Sequence, residues 1–146
     1  MDDAGDVART LYLWAQGVDT RDWALLTSVL CPEFEWDYGS HRPGSAGRIA
    51  AVDWVEHARK RFETMHATQH SMTNPRVMIE GNSATCRMYV TAWHVADVDG
   101  VQDWCTIGGE YRHELQRTDG RWLISLLRLD RRWTVGNPAV LDLPTR

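Results

Sequence analysis

An aspartate and a histidine stand where no structural pattern asks for them. Asp19 opens the segment Asp19-Thr20-Arg21-Asp22, which interrupts a helical period of apolar residues. A carboxylate there suits a turn. Asp22 fits the cap of the next apolar run better, and that frees Asp19 for another role. His70 lies in Thr68-Gln69-His70-Ser71-Met72-Thr73-Asn74-Pro75, where no apolar period requires it. Held together, the two make a proton acceptor. Imidazole titrates at about pH 6.5, close to working pH, as a general base should. A carboxylate on one ring nitrogen fixes the ring proton and leaves the other nitrogen free to take a proton from a substrate. Apolar surroundings keep water from levelling that base.

Alternation along two long apolar segments offers further candidates. Cys86, Met88, Val90, Ala92 and His94 share one face, so His94 ends an otherwise apolar row. Cys105, Ile107, Gly109, Tyr111, His113 and Leu115 share another, which makes Tyr111 and His113 candidate pocket residues. Each histidine also reads as a buried group satisfied by backbone. Trp36, Trp54, Met72 and Met88 could wall a flat apolar pocket, or simply fill the core.

Other chemistries lack their residues. Lys60 is the only lysine, so no Schiff-base lysine is expected elsewhere. The chain has no GxGxxG, no Walker loop and no GxSxG. His66 and His70 lack a third ligand at motif spacing, so neither metal nor cofactor is expected. Cys31, Cys86 and Cys105 are odd in number and far apart, which suits reduced thiols and a cytoplasmic location.

The elements that must position these residues come in two blocks. Val7, Leu11, Trp14 and Val18 recur at helical spacing. Trp23, Leu26, Val29 and Leu30 follow as a second helix, stopped by Pro32. Phe34, Trp36 and Tyr38 alternate with acids as a half-buried strand, and residues 39–48 read as a loop. A third helix turns Val52, Val55, Ala58 and Phe62 to one side. Then come strands over 76–80, 83–96, 102–117 and 121–134, joined by Gly81-Asn82, Asp99-Gly100 and Asp119-Gly120. The tail from Gly136 reads as an irregular cover. Helices followed by strands indicate an α+β fold: a cone-shaped, curved antiparallel sheet packed on three helices, enclosing an apolar pocket.

The 146 residues suit a single domain. A net charge of −4 argues against nucleic acid as the main partner. No apolar run reaches the ~20 residues that span a bilayer, and the acidic Met1-Asp2-Asp3 start is no secretory signal. Eight tryptophans against two phenylalanines imply a thick core or an aromatic-lined pocket.

The segment Tyr12-Leu13-Trp14-Ala15-Gln16-Gly17-Val18-Asp19-Thr20-Arg21-Asp22-Trp23 resembles the first helix and break of the scytalone dehydratases. Trp36-Asp37-Tyr38, Thr68-Gln69-His70, His94, Asp119-Gly120-Arg121-Trp122 and Arg132-Trp133 resemble further parts of the same family. His70-Ser71-Met72-Thr73-Asn74 and Gly108-Gly109-Glu110-Tyr111 resemble the lindane dehydrochlorinase branch. Both belong to the SnoaL-like, nuclear-transport-factor-2-like superfamily, and the likeness spans residues 7–134.

The resemblance implies an α+β barrel and a cofactor-independent lyase acting on a small hydrophobic or polycyclic, polyketide-like substrate. By resemblance Asp19 orients His70, His70 is the base, Tyr38 holds a substrate oxygen and His94 assists the leaving group or fixes the substrate. It also implies a homo-oligomer, trimer or dimer. Two departures point to a substrate other than scytalone: Val18 replaces a tyrosine, and Gly109 and Tyr111 replace a serine and an asparagine. An isomerase or cyclase could use the same pair. A binding-only domain should hold Asp19 and His70 apart.

Overall fold

The computed structural model describes residues 2–145. Helix α1 (Asp3–Thr20) buries Val7, Leu11, Trp14 and Val18, the predicted stripe. It runs two residues further than the sequence pattern suggests, so Asp19 sits in its last turn rather than in a break. Arg21, at φ 61°, ends it in the left-handed conformation. Helix α2 (Trp23–Ser28) is capped as expected, with the Asp22 side chain accepting from the Leu25 N–H at 2.9 Å.

Strand β1 (Leu30–Asp37) begins sooner than predicted and contains Pro32. The proline does not stop a helix. It lies where pairing with the last strand is interrupted between Leu30 and Glu35, a place that spares its missing N–H. The predicted loop over 39–48 is shorter, because β2 (Ala46–Ala50) pairs antiparallel with β1. Its mostly exposed residues carry no alternation to reveal an edge strand. Helix α3 (Ala51–Phe62) buries Ala51, Trp54, Val55 and Ala58 and leaves Val52 exposed, so its inner face is turned from the predicted one.

Four long strands follow: β3 (Ala67–Glu80), β4 (Ser83–Val98), β5 (Val101–Thr118) and β6 (Arg121–Gly136). The two Asp-Gly turns carry positive φ at both central residues, 52° and 80° at Asp99-Gly100 and 49° and 76° at Asp119-Gly120. That twist suits a tight hairpin. The six strands lie in the order β2-β1-β6-β5-β4-β3. All neighbours are antiparallel except β1 and β6, so the sheet is mixed rather than wholly antiparallel. It is curved but does not close: β2 and β3 remain as edges, and the predicted barrel is an open cone.

Alternation on β4 and β5 is as read from the sequence. Cys86, Met88, Val90, Ala92 and His94 are buried on one face, with Cys105, Ile107, Tyr111, His113 and Leu115 beside them. Trp14, Leu11 and Val18 of α1 and Trp54 of α3 join the same cluster. The tail forms a 3₁₀ turn, Pro138–Asp142, whose Val140 and Leu141 are buried. Among the described residues no helix is long and apolar enough to cross a membrane.

Candidate active site

The residues proposed for proton transfer come together through strand register. Strand β3 starts nine residues before the predicted Arg76, so His70 lies inside it and not in a connection. Thr68, His70 and Met72 point inward. Pairing sets Thr68 opposite His94 and His70 opposite Ala92. His70 and His94 are therefore diagonal neighbours on one face, their ring centroids 6.1 Å apart.

Asp19 reaches this face from the last turn of α1. Its Oδ1 accepts from His70 Nδ1 at 2.7 Å and from the Thr68 hydroxyl at 3.0 Å. Its Oδ2 accepts from the His70 backbone N–H at 2.8 Å. Arg21, which follows the helix end, donates to Thr68 Oγ1 at 3.0 Å and to the Val18 carbonyl at 2.7 Å. The carboxylate is thus fixed by three donors. Burial alone would raise its pKa, but the hydrogen bonds and charge of His70, with the Thr68 hydroxyl, hold it below the usual carboxylate value. With Nδ1 engaged, only Nε2 of His70 is left to meet a substrate. The sequence hid Arg21 and Thr68 as supports, although Thr68 stands two residues before His70 and so shares its face.

A cavity of about 380 Å³ opens beside His70. His94, Tyr38, Tyr111, Trp36 and Trp54 line it, along with Trp14, Phe62, Ile107 and Leu129. The Trp14 ring stands edge-on to His70 at 5.7 Å and to Tyr111 at 5.6 Å. Trp14 is therefore a wall of the cavity. Burial raises the pKa of both Tyr38 and Tyr111, which keeps their hydroxyls protonated as donors.

Three candidates lie elsewhere. Met72, Met88 and His113 are buried in the core and do not line the cavity. His113 faces inward as alternation requires, but its Nδ1 accepts from the Arg128 N–H at 3.1 Å, a structural bond. Among the described residues no three His, Cys, Asp or Glu side chains gather as metal ligands. Cys31, Cys86 and Cys105 are free thiols.

His94 Nδ1 lies 3.2 Å from the Cys105 carbonyl and donates to it. Burial and the neighbouring His70 push its pKa down to about 4. Burial pushes His113 down to about 3. In the unfolded chain each titrates at about 6.5. The unfolded state therefore binds more protons between those limits, and stability falls as pH falls. The loss begins below about pH 6.5 and proceeds at about 1.4 kcal/mol per pH unit for each histidine. Urea midpoints should drop clearly between about pH 7 and pH 5. His94→Gln should lessen the slope, and a flat midpoint would contradict both assignments.

Comparison with known proteins agrees with this architecture. No curated protein matches the sequence. Among solved structures, the Kfla4162 protein of Kribbella flavida superposes with a TM-score of 0.88 at 22% identity, over 95% of this chain and 96% of that one. A candidate scytalone dehydratase from Novosphingobium aromaticivorans gives 0.77 at 16% identity, over 92% and 91%. The type-3 LinA hexachlorocyclohexane dehydrochlorinase of Novosphingobium barchaimii gives 0.72 at 20% identity, over 96% and 93%. Identities this low establish the shared fold alone. The SnoaL-like domain model matches residues 1–128, and the chain belongs to that family.

Proposed function

We propose that the chain is a cofactor-independent lyase that removes a proton and an adjacent leaving group from a small hydrophobic or polycyclic substrate. The observation that carries this reading is the 2.7 Å contact between Asp19 and His70 at the wall of an apolar cavity. A binding-only domain has no need of a carboxylate fixed by three donors behind an imidazole.

His70 Nε2 takes the proton from carbon, and the developing imidazolium is stabilised by Asp19. Tyr38 or Tyr111 donates to the substrate oxygen on which negative charge gathers. Elimination then forms the carbon–carbon double bond. Where hydroxide departs, the proton on His70 passes to it, so water leaves and the base is restored. Of the two parts expected of His94, fixing the substrate suits it better than assisting the leaving group. Its Nδ1–H is committed to Cys105 and its pKa is low, so at neutral pH Nε2 is an acceptor and fixes a substrate hydroxyl.

The test is a panel of bicyclic β-hydroxy ketones followed by mass spectrometry. The lyase reading expects a product lighter by one water. A product of unchanged mass would assign the same pair to isomerisation or cyclisation, as in secondary-metabolic tailoring. Binding without turnover across the panel would leave a carrier domain.

A further inference from the structure

The cavity has a polar end that elimination chemistry does not use. The chain as a whole carries a net charge of −4, yet Arg42, Lys60 and Arg61 line the cavity and, among the described residues, no Asp or Glu does. Two of these cations are matched nearby. Arg42 pairs with Asp142 at 2.8 Å, and Lys60 lies 3.8 Å from Glu56. Arg61 differs: it is half-buried, and its guanidinium donates to the backbone carbonyl of Leu143. Among the described residues no carboxylate lies within ion-pair reach of it. Asp142 acts on Arg61 only from beyond that reach, and a partly desolvated cation hydrogen-bonded to a carbonyl alone is costly unless a nearer anion completes it.

The neighbouring groups register the same excess of positive charge. Arg131 donates to His41 Nδ1 at 3.3 Å. Burial, with the charges of Arg131 and Arg42, pushes His41 down to about 4; Asp142 opposes this and Arg61 adds to it. His41 in turn lies close enough to His94 for its charge to disfavour protonation there. The cationic end is thus linked through His41 to His94, and through His94 to His70.

We propose that the cavity takes a substrate bearing a carboxylate, held at this end by Arg61, with the apolar body lying between Arg61 and His70. The proposal rests on the reading of this cavity as the substrate site, but not on the reaction assigned to it. A planar guanidinium has five N–H donors, and one bond to Leu143 leaves a fork for two carboxylate oxygens. Trp36, Trp54, Ile49 and Leu129 supply the flat apolar walls. The anion would fix which carbon of the body meets the base.

Calorimetric titration of the intact protein with naphthalene-2-carboxylate and with naphthalene-2-carboxamide tests this. The two differ in charge and hardly in shape. The carboxylate should bind tighter by about tenfold or more. Arg61→Gln should erase that preference, chiefly by weakening the carboxylate. Arg61→Lys should retain part of it, since a point charge lacks the fork. Added salt should weaken the carboxylate alone in the unaltered protein, a readout that needs no variant to fold. His70→Ala should keep the preference, so failure of the elimination reading and failure of this one are separable. Equal affinity for the two probes, no binding of either, or a preference that survives Arg61→Gln would overturn the proposal.

Discussion

His70→Ala should lower kcat by about 10²–10⁴-fold, the usual contribution of a positioned general base, while KM stays within a few-fold. The side chain is only 4% exposed, yet it faces the cavity and its loss leaves the sheet pairing of β3 untouched. Circular dichroism and the urea midpoint should therefore show a folded protein.

Asp19→Asn is the sharper variant. All three neighbours of the carboxylate are donors: His70 Nδ1, the His70 N–H and the Thr68 hydroxyl. An amide brings an NH₂ that must oppose one of them. Turned toward Oδ2 it meets the backbone N–H of His70, which cannot change. Turned toward Oδ1 it donates to His70 Nδ1, which can shed its proton. The ring then carries hydrogen on Nε2, the atom that should accept from substrate. A loss of similar size to that in His70→Ala is expected from the wrong tautomer alone. Nitrogen-15 NMR of the imidazole reads the tautomer directly. Turnover near the unaltered rate, or an Nδ1–H tautomer in the variant, would refute the pair as the base.

Much of this site was legible because two arguments from elimination happened to be local. Asp22 competes for the cap and wins, which releases Asp19, and the cap bond confirms that reasoning. Strand alternation placed His94 and Tyr111 inward without any knowledge of pairing. What stayed hidden depends on partners distant in sequence. The first half of β3 shows little apolar alternation because two of its inner positions are the polar Thr68 and His70. Met72 suits an apolar wall by residue type, as Trp36 and Trp54 do, but the cavity passes it by. The strand β2 is short and mostly exposed, and only β1 makes it a strand. The cationic end was illegible for a similar reason: Arg42 and Arg61 lie on different elements, and the tail brings Leu143 to one and Asp142 to the other.

Gly109 should be the least replaceable residue of the sheet, and Gly108, its neighbour, should tolerate change far better. The β5–β6 register slips between them: Gly108 faces Trp133, and Gly109 faces Arg131, so Arg132 is the extra residue of a bulge. A Cβ on Gly109 would overlap the Asp130 carbonyl oxygen and come within 3.0 Å of Arg131 Cα. Both obstacles are backbone, locked in the ladder. A Cβ on Gly108 would overlap the Trp133 indole instead, but that side chain is 44% exposed and can swing into solvent. Gly109→Ala should thus lose about 3 kcal/mol or more by urea denaturation, and Gly108→Ala about 1. Equal losses would refute the bulge as the cause. The contrast bears on the departure implied by the resemblance to the dehydratases, a serine and an asparagine expected where this chain has Gly109 and Tyr111. The backbone of β6 fills the space a serine would need. With that position closed, the next inward residue is Tyr111, its ring 5.6 Å from Trp14 and its hydroxyl held protonated at the cavity. Any variant that relaxes the bulge should therefore disturb Tyr111 as well as stability, so Gly109→Ala should lose turnover even at temperatures where it remains folded.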